Sequence, residues 1–181
     1  MIEDEFTEFK REYISDIKRE VVAFANTKGG KIYVGINDNG SVCGVENIDD
    51  TMLKLTSLIH DAIRPDVMMF INCALEYIED KPVVVVTVQR GTERPYYLAN
   101  KGLRSEGVFI RQGYATVPAS ETAILNMIKE TSGDCYEEAR SLCQTLTFEQ
   151  TAAYFKKYGV TLVFSSKEHF ISSVKMEHIL I

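Results

Sequence analysis

Tryptophan is absent from this chain of 181 residues, and proline (4), cysteine (4) and histidine (3) are scarce. Cys43, Cys73, Cys135 and Cys143 are scattered and form no Cys-x-x-Cys pair. With so few histidines, that pattern argues against a structural zinc site or a disulfide framework and favours the reduced thiols of a cytoplasmic protein. No apolar run approaches the roughly 20 residues of a membrane helix. The first ten residues, MIEDEFTEFK, are acidic and lack the basic-then-apolar order of a secretory signal. Neither repeats nor low-complexity segments occur. What is present is ordinary globular material, 45% hydrophobic and 25% charged residues, enough for a core in one domain or one domain plus part of a second.

The net charge of −6 opposes simple nucleic-acid binding, because phosphate contacts need Lys and Arg. Its distribution is uneven. Residues 10–31 hold six basic against three acidic side chains, and residues 81–120 hold six against two. Residues 46–80 reverse this, with two basic and eight acidic. A basic surface can therefore coexist with an acidic one, although charges in a linear tally also simply solvate exposed faces.

Ile14, Ile17, Val21, Phe24 and Ala25 keep helical spacing and predict an inward face. Asn26 and Thr27 are poor helix formers, and Gly29-Gly30 end the helix. Ile32–Ile36 reads as a short strand, Asn37-Asp38-Asn39-Gly40 as a tight turn, and Val42–Val45 as the returning hairpin partner. A second helix is expected over Thr51–Ile63, closed by Pro65. Met68–Ile78 and Val83–Gln89 read as paired strands around Glu79-Asp80-Lys81-Pro82. Val83–Val86 is apolar on both faces, so that strand should be central. Tyr96–Leu98 and Val108–Ile110 suggest a further hairpin. Ser120 should cap a helix running to Ile128. Phe24 and Val84 should be almost fully buried. Helices mixed irregularly with antiparallel hairpins predict an α+β fold with a mixed, largely antiparallel sheet. Residues 130–134 look like a linker, followed by helix-like stretches at Tyr136–Gln144 and Thr147–Tyr158. Residues 1–130 are thus expected to form one domain, and 131–181 a helical extension belonging to a truncated following region.

Several short motifs stand in a recognisable order: Glu8-Phe9-Lys10, Ala23-Phe24-Ala25-Asn26-Thr27, Gly29-Gly30 and Val34-Gly35-Ile36-Asn37-Asp38. Downstream come Ile63-Arg64-Pro65, Val88–Tyr97 (VQRGTERPYY) and Val108–Thr116 (VFIRQGYAT), with Tyr114 where a small Ser is more usual. Together they resemble the Schlafen-type, Alba-like DNA-binding domain that heads bacterial transcriptional regulators and RecG-like helicase relatives. The resemblance covers about residues 1–130. It implies an Alba-like α+β fold, a nucleic-acid partner with DNA favoured over RNA, and room for a homodimer. No membrane partner and no cofactor are expected.

Three chemistries compete. Nucleotide binding through Lys28-Gly29-Gly30-Lys31 fails, because Ala25 and Ile32 stand where a phosphate loop needs Gly and Ser or Thr. The resemblance also extends to Schlafen ribonucleases, which use two glutamates and an aspartate; Glu3, Glu8 and Asp38 occupy the matching positions and would hold Mg²⁺ or Mn²⁺. Five residues along a helix leave Glu3 and Glu8 roughly 140° apart, so only an irregular segment brings them together. A helix start explains the glutamates equally well, and a turn explains Asp38. In plain nucleic-acid binding, the expected reading, Lys10, Lys28, Lys31, Arg104 and Arg111 would meet phosphates, while Tyr96, Tyr97 or Tyr114 would stack on unpaired bases or serve as half-buried packing residues. A protein-interaction module using the acidic 46–80 stretch is the remaining alternative.

Overall fold

In chain order the elements are β1 (Thr7–Lys10), α1 (Ile17–Asn26), β2 (Gly30–Val34), α2 (Ile48–Ala62), β3 (Ile63–Arg64), β4 (Ile71–Ile78), β5 (Lys81–Val88), β6 (Tyr97–Leu98), β7 (Phe109–Gln112), β8 (Ala115–Pro118) and α3 (Glu121–Thr131). The computed structural model describes residues 2–132 and Lys157. The chain divides into two units, Met1–Glu138 and Ala139–Ile181, and all these elements belong to the first. Apart from Lys157, the helix-like stretches at 136–144 and 147–158 lie outside the described residues.

The valine run of β5 organises the sheet. Side chains alternate along a strand, so Val84, Val86 and Val88 face one way and Val83 and Val85 the other. The first set joins Ile32, Val34, Phe24, Leu55 and Ile59 in the main core beneath α1 and α2. The second set packs with Phe9, Tyr33, Ile36 and Val42 on the opposite face. With both faces covered, β5 is central in a four-stranded sheet ordered β1-β2-β5-β4. Its pairings with β2 and β4 are antiparallel, and β1 joins β2 in parallel. The fold is α+β, as the irregular order of elements predicts.

Helix α1 buries Ile17, Val21, Phe24 and Ala25, but Ile14 precedes it and is partly exposed. The amides of Thr27 and Gly29 both donate to the Phe24 carbonyl, at 3.1 and 3.0 Å. Gly29 holds φ at +82°, which turns the chain into β2. Gly30 is required for a different reason: a Cβ there would collide with the Phe24 ring. Phe24 is fully buried, and so is Val84.

Four expectations need correction. Residues 7–10 are not a helix start but the edge strand β1. Helix α2 begins at Ile48, earlier than Thr51, because Asn47 caps it by accepting from the Asp50 amide at 3.2 Å. Val42–Val45 forms no strand; an isolated bridge, Ile36 to Val42, and the Cys43 and Gly44 amides donating to the Gly35 carbonyl link it back. Tyr97–Leu98 and Phe109–Gln112 do not pair with each other. β6 pairs with β3, and β7 pairs with β8 around Gly113-Tyr114.

Smaller shifts concern ends. A single 3-10 turn, Met68–Phe70, delays β4 to Ile71. The β4–β5 turn narrows to Glu79-Asp80, both at positive φ, which suits a tight hairpin. Ser120 caps α3, accepting from the Ala123 amide at 3.2 Å, and the helix continues through Thr131 into the expected linker. No helix among the described residues is long and apolar enough to cross a membrane.

Candidate nucleic-acid interface

Arg111 on β7 is the most constrained charge in the domain. Its side chain is only 3% exposed. Nη1 donates to Glu8 Oε2 at 2.8 Å, Glu20 Oε2 at 3.2 Å and Thr116 Oγ1 at 3.1 Å. Nη2 donates to the Asp4 carbonyl at 2.9 Å, and the guanidinium lies 4.8 Å from the Phe24 ring centroid. One side chain thereby joins the amino-terminal segment, β1, α1 and the β7–β8 hairpin. Lys10 folds onto Glu8 Oε1, and the Thr116 hydroxyl donates to Glu20. Burial pushes the Glu20 carboxyl above the usual glutamate range. The Thr116 hydrogen bond opposes that shift, the Glu8 charge reinforces it, and Lys10 and Arg111 pull it back.

This cluster takes in several of the expected site residues. Arg111 is committed to buried carboxylates and presents no surface to phosphate. Lys10, with 19% of its side chain exposed, is held beside Glu8. Glu3 turns back on the strand, its Oε1 accepting from the Phe9 amide at 2.9 Å. Asp38 stands exposed in the 37–40 turn. Among the described residues, no three acidic, histidine or cysteine side chains form a group able to hold a metal. Glu3, Glu8 and Asp38 are therefore not gathered into a cation site. Glu20, which the sequence reading left unassigned, is the carboxylate that shares Arg111 with Glu8.

The tyrosines separate by burial. Tyr96 is fully buried, with its hydroxyl accepting from the Glu93 amide at 3.3 Å, so it cannot stack on a base. Tyr97 is half-buried against Ile124 and Met127. Tyr114, at the β7–β8 turn, is 75% exposed.

The accessible cations meet elsewhere. Lys31 is exposed at the start of β2, where it pairs with Thr87 near the end of β5. Lys28 lies just before the Gly29 turn, and a Cβ on Gly29 would stand 3.2 Å from the Arg90 amide nitrogen. Chain register thus brings Lys28, Lys31 and Arg90 to one end of the sheet. Lys28 and Arg90 make only exposed ion pairs, with Glu5 at 3.2 Å and Glu130 at 3.6 Å. Such pairs are worth little, and a phosphate can exchange with the carboxylate. Phe6 lies beside them, partly exposed, with Lys28 Nζ 5.7 Å from its ring centroid. Arg104 is also exposed and lines a shallow groove with Leu103, Glu121 and Ile124.

The Schlafen, AlbA_2 family profile matches residues 3–120. The chain belongs to this family. Among solved structures, the AlbA_2 domain is similar to the DIP2311 protein of Corynebacterium diphtheriae, at 22% identity and a TM-score of 0.53. That match covers 71% of this chain and 24% of the other, so the chain spans about a quarter of the DIP2311 protein and shares the fold of the matched part. The N-terminal domain of a RecG-related protein from Nitrosomonas europaea matches at 23% identity and a TM-score of 0.44, over 64% of this chain and 79% of that one. No curated protein matches the chain.

Two AlbA_2 features escaped the sequence reading. Arg90 was one charge in a tally, and its place beside Lys28 depends on β2–β5 pairing. Phe6 sits in an acidic stretch with no periodicity to mark it. A signal for the first did exist: Gly29-Gly30 and Arg90-Gly91 bracket strands long enough to lie side by side.

Proposed function

We propose that this AlbA_2 domain binds nucleic acid, with DNA as the favoured form and transcriptional regulation as the setting, and performs no chemistry of its own. The convergence of Lys28, Lys31 and Arg90 at the end of the central sheet carries the reading. Three cationic residues, one in the α1–β2 turn, one at the start of β2 and one just after β5, could together meet successive phosphates, and the exposed partners Glu5 and Glu130 yield at small cost. Glu8 accepts from both Arg111 and Lys10, which supports a structural rather than a hydrolytic task.

Fluorescence anisotropy with a labelled DNA fragment across a salt series tests this. Affinity should fall linearly on a log–log plot, with a slope of about −0.7 to −0.9 per phosphate neutralised. Lys28→Glu, Lys31→Glu and Arg90→Glu should each weaken binding and flatten the slope, with unchanged circular dichroism. Salt-independent binding, or three undisturbed variants, would remove this face from consideration.

A further inference from the structure

We propose that Phe6, flanked by Lys28, is a stacking site for one unpaired base, so that the basic end selects a single strand over a duplex. This rests on the nucleic-acid reading above and adds the form of the ligand. Phe6 is a large aromatic side chain left 43% exposed. Its backbone is fixed on both sides: the Phe6 amide donates to Asp4 Oδ1 at 2.8 Å, and its carbonyl accepts from the Lys31 amide at 2.7 Å. The backbone that carries the ring is therefore fixed before any ligand arrives, which lowers the ordering cost of binding. Its backbone is tied to Lys31, whose side chain is exposed, and the Lys28 ammonium lies 5.7 Å from the ring.

An exposed ring with an ammonium group beside it matches the chemistry of a single strand. Each base offers a π-face, and its phosphates lie within reach of nearby ammonium groups. Within a duplex, the base faces are covered by their neighbours, leaving the ring only backbone to meet. Stacking tolerates any base, so the site discriminates strandedness rather than sequence. Tyr114 offers a second exposed ring, but its turn carries none of these cations, and Gly113 beside it meets nothing within 4 Å of an added Cβ.

The absence of tryptophan makes the test direct, because Phe6→Trp introduces a sole indole. Oligothymidylate and oligouridylate of about twelve nucleotides, within the range that single-strand-binding OB folds cover, are compared with a duplex of equal length. Either single strand should quench the Phe6→Trp fluorescence, and the duplex should not. Phe6→Ala should weaken single-strand binding about tenfold and leave duplex binding unchanged. Equal quenching by duplex and single strand, or an undisturbed Phe6→Ala, overturns the stacking site while the basic end stands. No binding of either form at low salt overturns both.

Discussion

The side chain of Asn26 clasps the backbone of Tyr96 from both sides. Asn26 Nδ2 donates to the Tyr96 carbonyl at 2.9 Å, and the Tyr96 amide donates to Asn26 Oδ1 at 2.7 Å. Nδ2 also donates to the Phe109 carbonyl at 3.0 Å. The last residue of α1 thus substitutes for a strand neighbour, satisfying buried polar groups of β7 and of the residue before β6. A residue of low helix propensity occupies a helix end here because its amide satisfies three backbone groups at once.

Replacing Asn26 with Ala should destabilise the domain by about 2–4 kcal/mol, because three buried backbone groups lose their partner. Asn26→Asp keeps the acceptor for the Tyr96 amide but faces two carbonyls with oxygen, so it should be no better. Urea unfolding followed by circular dichroism measures both.

The Phe24 ring and Gly30 form a matched pair. Phe24→Ala should cost about 3–5 kcal/mol through lost burial and a residual cavity. Gly30→Ala should cost about 1–3 kcal/mol, since its new methyl meets the ring. The double variant should be less damaged than the two losses added, because truncating the ring removes the clash. Strict additivity in a double-mutant cycle would contradict this packing.

Removing Arg111 should be severe. Arg111→Leu leaves Glu8 and Glu20 facing each other with only Lys10 to offset them and should cost about 3–5 kcal/mol at neutral pH. Arg111→Lys should recover only part, since one ammonium cannot reach all four acceptors. Denaturation midpoints at pH 7 separate the three proteins.

Glu20 predicts a pH dependence of definite sign. Its folded pKa is raised, chiefly by burial, so the folded state holds this proton more tightly than the unfolded chain. The contribution is fully present below the ordinary glutamate value and is lost as pH rises through the folded value. Glu20→Gln should abolish that component, so the stability gap between wild type and variant changes across this window and is flat above it. Parallel unfolding curves of the two proteins from acid to neutral pH would contradict the assignment.

The carboxylates give a further check. With Mn²⁺ added, structured RNA should remain intact in the presence of the wild-type chain, followed by gel electrophoresis. Glu8→Ala should lower the melting temperature by uncoupling Arg111, whereas Asp38→Ala, on an exposed turn, should leave it unchanged. Divalent-dependent cleavage abolished by Asp38→Ala would reinstate the hydrolytic triad.

Legibility followed the range of the interactions. Phe24 and Val84 were marked as core by local periodicity, and the central place of β5 by an apolar run no half-exposed strand tolerates. Ser120 announced α3 through its own capping hydroxyl. The motif order around Glu8, Asn26, Asn37 and Arg111 pointed to the family before any coordinate. Strand β1 stayed hidden because four residues in an acidic stretch carry too little pattern, and its pairing partner lies over twenty positions away. The hairpin assigned to 96–110 failed for a related reason. Proximity along the chain favoured β6 with β7, yet β3 and β8 supplied the hydrogen bonds.

Local pattern alone marked most of the elements, the α+β class, the buried face of α1 and the central valine strand, since each depends on residues a few positions apart. Only the tertiary structure decided which charges are free. Arg111 and Lys31 are both cations in strands, but one meets two carboxylates brought from β1 and α1, and the other meets solvent. A charge's role depends on the field of neighbours it reaches, and those neighbours come from 91 and 103 residues away for Arg111. Composition records the charge; folding chooses its partner.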